Sequence, residues 1–152
     1  MEPVVLRPIG VVRGGRAEIF EDHWGLVVSR LILDPAVLDP DATLGLGDFS
    51  HLEVVFHFHR ENRVRRGASF PRGNPAWPRV GVLAGRSPVR PNHLGVSSCE
   101  LLGVAGLELT VRGLDAVDGS PILDIKPYSA TFQPREAVRE PAWMRELMAE
   151  YY

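Results

Sequence analysis

Only one cysteine, Cys99, and one lysine, Lys126, occur in this chain. A single thiol excludes an internal disulfide, and with no second cysteine or adjacent histidine to activate it, Cys99 reads as a small buried apolar residue. No apolar run approaches the ~20 residues that a membrane-spanning helix needs. The N-terminus also lacks the charged-then-apolar order of a secretion signal, so a cytoplasmic protein without a membrane partner is expected. No G-x-G-x-x-G opens a helix after a strand, and neither a P-loop nor a G-x-S-x-G is present. A doubly wound nucleotide site and a nucleophile elbow are thereby excluded. The hydroxyls of Val96-Ser-Ser98 have no evident base, so nucleophilic catalysis lacks support.

What is present suits one ordered domain over residues 1–152: 45% hydrophobic composition with no low-complexity tract. The formal net charge of -2 names no partner, but the charge is unevenly placed. Between Arg60 and Arg90 lie arginines 60, 63, 65, 66, 72, 79, 86 and 90 against the single acid Glu61, with Phe70 and Trp77 interleaved. Guanidinium forks grip phosphates and aromatic faces stack on bases, so this stretch is a candidate nucleic-acid-facing loop. Its bias has a second reading: with Lys126 the only lysine among 17 basic residues, and with 15 Gly and 13 Pro, the pattern also fits a GC-rich genome.

Periodicity argues for strands. Val4 to Arg13 and Leu26 to Leu33 are β-branched or aliphatic runs bounded by Gly, Asp and Pro. His51 to His59 alternates, with Leu52, Val54, Phe56 and Phe58 on one face and His51, Glu53, Val55, His57 and His59 on the other. Further strands are expected at Val80 to Ala84, Ser97 to Leu102, Leu107 to Arg112 and Ile122 to Ile125. Many short strands with little helical periodicity point to a mainly β fold, a small antiparallel β-barrel or sandwich, with residues 60–79 as a long arginine-rich loop. Only the end reads as a short C-terminal helix, from Pro141 towards Tyr152, with Trp143, Leu147 and Tyr151 on one stripe that packs on the barrel or on a second subunit.

Three clusters carry candidate chemistry. His51, His57 and His59 with Glu53 share one strand face and invite a metal, but Glu61 stands too close behind His59 for a cupin spacing; partly buried histidines with hydrogen-bond partners are the plainer reading. Asp124 and Lys126 point to one side of a strand, either as a functional pair or as an ion pair with no catalytic role. Arg86-Ser-Pro-Val-Arg90-Pro-Asn92 offers forked donors on a chain stiffened by two prolines, as holding a carboxylate or phosphate requires.

The strings Pro8-Ile-Gly-Val-Val-Arg13, Phe49-Ser-His-Leu52 with Phe56-His-Phe-His59, Arg86-Ser through Arg90-Pro-Asn, Leu94-Gly-Val-Ser97, Asp115-x-x-Asp-Gly119 and Asp124-Ile-Lys-Pro-Tyr128 occur in the order found in the YaeB/TsaA-like (TrmO-type) family of S-adenosylmethionine-dependent methyltransferases. The chain resembles that family over essentially its full length. The resemblance implies a small β-barrel that forms a homodimer, binds S-adenosylmethionine without a Rossmann domain and N6-methylates threonylcarbamoyladenosine in tRNA. It implies cofactor contacts from His59, Arg60, Arg86, Asn92, Val96, Gly113, Leu114 and Asp115. Where many relatives carry a Pro-Arg-Gln-Pro-Gly-like loop before the second strand, this chain reads Glu21-Asp-His-Trp-Gly25, which predicts remodelled contacts, and the extra C-terminal domain of some bacterial relatives is not expected.

A sulfonium is already a strong methyl donor, so the protein has chiefly to align the acceptor and remove its proton. Asp124 and Tyr128 are the expected catalytic groups, and Arg65, Arg66, Arg90 and Lys126 the expected substrate contacts. The alternatives are an adenosyl-ligand or RNA-binding module without transfer activity and a metal-binding small barrel.

Overall fold

A computed structural model describes residues 1–152. Its strands are β1 (Gly10–Arg13), β2 (Val28–Leu33), β3 (His51–His57), β4 (Ala68–Ser69), β5 (Val80–Gly81), β6 (Leu94–Ala105), β7 (Glu108–Arg112) and β8 (Pro121–Pro127), followed by one helix, α1 (Ala142–Leu147). Six of the strands close an antiparallel barrel in the order β1-β2-β7-β6-β3-β8, while β4 and β5 pair as a separate ribbon inside the arginine-rich stretch. The mainly β expectation, the barrel and the short C-terminal helix all hold.

Alternation decides what each strand buries. On β3 the side chains of Leu52, Val54 and Phe56 fill the interior with Leu31, Leu33, Leu109, Val111, Val12 and Ile122, so the barrel is packed through its centre. Gly95 on β6 exists because Phe56 needs its place: a Cβ there would fall 2.4 Å from the Phe56 ring. The register sets two outward rows that matter below, Asp124 beside Val55 beside Val96, and Lys126 beside Glu53 beside Ser98.

Several expected boundaries move. The first strand begins at Gly10, not Val4, and Val4, Val5 and Leu6 are exposed; pairing fades at Pro8, which has no N–H to give a ladder. The strand ends at His57, short of the expected His59: Phe58 N–H still donates to the His93 carbonyl at 2.8 Å, and the chain turns directly after it, His59 N–H donating to the His57 carbonyl at 2.8 Å. Residues 82–84 form a 3-10 turn instead of strand. The C-terminal helix stops at Leu147, short of Tyr152, and Pro141 stands at its N-cap rather than inside it.

One irregularity positions the site. β6 is 12 residues long and pairs with β3 from Leu94 to Glu100, but β7 joins its other edge only from Glu100 onward. Opposite the free edge of residues 94–99 the chain leaves β7 through Gly113, at φ 82°, and crosses the barrel end with Leu114 and Ala116 buried. That left-handed turn favours glycine, and it aims Asp115 back at β6.

Candidate functional site

The free edge of β6 gathers groups from distant parts of the chain. Arg86 donates to the Val96 carbonyl at 2.7 Å. The Ser97 hydroxyl, on the inward side of β6 and buried, donates to one oxygen of Asp115, and the Tyr151 hydroxyl donates to the other. The turns around 86–97 and 112–116 therefore meet at one barrel end. Arg86, Val96, Gly113, Leu114 and Asp115 come together there, with Leu114 itself fully buried beneath the edge.

His59 and Arg60 belong to the same end. The His59 ring lies 3.5 Å from where a Cβ of Gly119 would be, and Arg60 donates to the Ala17 carbonyl at 2.5 Å. Partial desolvation, with the neighbouring positive charges of Arg60 and His57, holds the His59 imidazole below its usual value, which favours the neutral ring at pH 7. Asn92 goes elsewhere. It lines a cavity of about 700 Å³ with His57, Leu94, Leu123 and the N-terminal segment, whose walls include neither Arg86 nor Asp115.

Asp124 faces outward and pairs with Lys126 at 2.7 Å, as strand alternation predicts. Its Cα partner is Val55, whose partner across β3 is Val96, so one cross-strand row links Asp124 to the strand whose edge carries the cluster. Tyr128 lies on the same side four residues on, its N–H donating to the His51 carbonyl at 2.9 Å and its ring 6.2 Å from the His51 ring. At ~3.3 Å per residue the two positions are about 13 Å apart along the strand, so only the ends of their side chains can approach a shared acceptor. The three strand histidines do not converge: His51 meets Ser50, His57 meets the ring of His93, and His59 meets Gly119. No group of three metal-ligating side chains forms.

The arginines divide. Arg63 is tied to Glu61 at 2.8 Å, Arg90 donates to the Gly85 carbonyl within its own loop at 3.3 Å, and Arg72 is committed to Glu21 and Asp22. The Glu61 carboxyl is lowered to about 2, chiefly by its hydrogen bonds from the Arg63 side chain. Arg66 is exposed and Arg65 half-buried. The remodelled Glu21–Gly25 loop is itself built: Arg16 stacks 4.2 Å from the Trp24 ring centroid and donates to the Asp22 and His23 carbonyls, so Trp24 is buried as structure.

Sequence reasoning passed over Ser97 and Tyr151 as partners of Asp115. Ser97 was signalled by its inward register opposite Val54. Tyr151 had no such signal, because nothing in its spacing says that the chain beyond α1 returns to the barrel end.

Residues 24–133 match the family model described as the tRNA-methyltransferase O N-terminal domain. A probable S-adenosyl-L-methionine-binding protein of Pyrococcus abyssi is 35% identical over 144 residues, covering 90% of this chain and 74% of that protein. The tRNA (adenine(37)-N6)-methyltransferase of Escherichia coli is 41% identical over 133 residues, covering 79% of this chain and 55% of the enzyme. The crystal structure of TrmO from Pseudomonas aeruginosa superposes with a TM-score of 0.76 at 28% identity, covering 94% of this chain and 62% of that one. The chain thus spans a little over half the length of the two methyltransferases.

Proposed function

The chain belongs to the tRNA-methyltransferase O family, and from that membership we propose that it is an S-adenosylmethionine-dependent methyltransferase acting on an adenine of tRNA, with residues 1–152 as a single domain. The finer reading is N6-methylation of threonylcarbamoyladenosine. The observation that carries the proposal is the cluster of Arg86, Val96 and Asp115, with Gly113 turning the chain towards it, at the edge of β6 that β7 leaves unpaired.

The donor set fits the cofactor chemically. A carboxylate accepts from ribose hydroxyls, a guanidinium pairs with the amino-acid carboxylate, and an exposed Val96 offers apolar surface to a purine. When bound, the cofactor supplies a methyl group on a sulfonium: the new N–C bond forms as the C–S bond breaks, and the acceptor nitrogen gives up a proton. In this reading Asp124, held by Lys126, takes that proton or a hydrogen bond from the acceptor, and Tyr128 orients the base. Arg65 and Arg66, with Arg90 and Lys126 nearer the site, supply positive charge for the phosphates. The reading includes a homodimer, which the exposed Val4, Val5 and Leu6 support and light scattering tests.

Calorimetry with S-adenosylmethionine, followed by methyl transfer to bulk tRNA, is the experiment. One cofactor site per chain, lost in Asp115→Ala, is expected, together with a methylated nucleoside detected by mass spectrometry. Binding without transfer would leave an adenosyl-binding module, and no binding would overturn the proposal.

A further inference from the structure

After α1 the chain does not continue outward. It runs back along the loop before β2, where His23 N–H donates to the Glu150 carbonyl and Trp24 N–H to the Tyr151 carbonyl, both at 2.8 Å. Gly25 allows the approach, since a Cβ there would stand 2.8 Å from the Tyr152 backbone. Two main-chain bonds and one missing side chain thus fix where the Tyr151 ring lies, and its hydroxyl ends on Asp115.

The surroundings keep that hydroxyl a donor. Tyr151 is pushed above the ordinary phenol value, first by burial and then by the negative charge of Asp115. Asp115 is consequently held from two directions, by Ser97 on one oxygen and Tyr151 on the other. An ionised carboxylate has about four acceptor positions, so each oxygen retains one. Cys99, Tyr152 and Arg86 complete the group of titratable side chains around it.

We propose that Tyr151 is a positioning residue of the cofactor site: with Ser97 it fixes the plane of the Asp115 carboxylate, and the remaining acceptor positions then point at the cofactor's ribose hydroxyls. The inference rests on Asp115 as a cofactor contact. It assigns the segment after α1 a share in a site otherwise built from the barrel and its loops. A carboxylate already oriented loses little freedom when a ligand binds, which is why a residue that never touches the reacting atoms changes affinity.

The test uses the full chain and S-adenosylhomocysteine as the calorimetric probe, with Tyr151→Phe and, independently, Ser97→Ala. Loss of one hydrogen bond to a charged group should weaken binding about five- to tenfold in each variant. The cofactor KM should rise by the same factor while kcat at saturating cofactor stays unchanged, a split that general loosening of the fold would not produce. Unchanged or tighter binding in Tyr151→Phe overturns the proposal, the tighter result meaning that the segment shields Asp115 from the ligand. A fall in kcat with KM constant overturns it too. Failure of the unaltered protein to bind the probe is a different failure, that of Asp115 as a cofactor contact at all.

Discussion

Arg72 reaches from the arginine-rich loop to Asp22 with both terminal nitrogens, at 2.9 and 2.6 Å, while its Nε pairs with Glu21 at 2.8 Å. The backbone at Arg72 takes φ 47° to make this reach. The two segments are 50 residues apart, and the fork clamps the loop that carries the basic residues onto the loop that carries Trp24.

Arg72→Ala should cost about 1 kcal/mol at pH 7, the size of a partly exposed charge-assisted pair after screening. The Arg72 hydrogen bonds hold the Asp22 carboxyl below the ordinary aspartate value, so the stabilisation is complete above the ordinary carboxylate range and fades as the pH falls through the depressed folded value. Urea melts at pH 7 and pH 3 are the measurement: the gap between the two proteins should narrow at the lower pH.

Gly95→Ala tests the packing inside the barrel. Its new methyl group would lie 2.4–2.7 Å from three Phe56 ring carbons that have no room to withdraw. Overpacking of this kind costs about 1–3 kcal/mol or more, and thermal unfolding should drop by several degrees. An unshifted melting curve would mean that Phe56 repacks.

Asp124→Asn and Tyr128→Phe should each lower methyl transfer by about 10- to 100-fold while S-adenosylhomocysteine affinity stays within a factor of two, since neither residue meets Arg86 or Asp115. Single-turnover assays separate the effects. Full turnover in both variants would remove the acceptor role from this strand.

Cys99 should resist alkylation. Burial, reinforced by the Asp115 charge, pushes its thiol up to about 12, and the side chain is enclosed in the core. Iodoacetamide at pH 8 should label the denatured chain within minutes and the folded one hardly at all, read by intact mass.

Where hydrophobic period speaks, the sequence was legible. His51–His57 alternates because one side of β3 is core and the other is not, and the strands and barrel follow from repeating that argument. Val4-Val-Leu6 misleads for the same reason inverted: it is apolar, yet no neighbouring strand lies alongside to bury it. The motif strings named Arg86, Val96 and Asp115, which the fold brings together, whereas Asn92, six positions along a proline-stiffened loop, lines a separate cavity with His57 and Leu94. The Tyr151 to Asp115 bond spans 36 residues, and although the strand and the helix between them have a pattern, the reversal after α1 that brings Tyr151 back leaves no periodic trace.

The late arrival of β7 along β6 has an energetic meaning. A ligand settling against residues 94–99 meets a border that was never zipped to β7, so its entry and departure break no rung between those two strands. A cofactor bound as proposed would load and unload through that open seam, while the hydrophobic filling stays sealed behind Leu114 and Ala116.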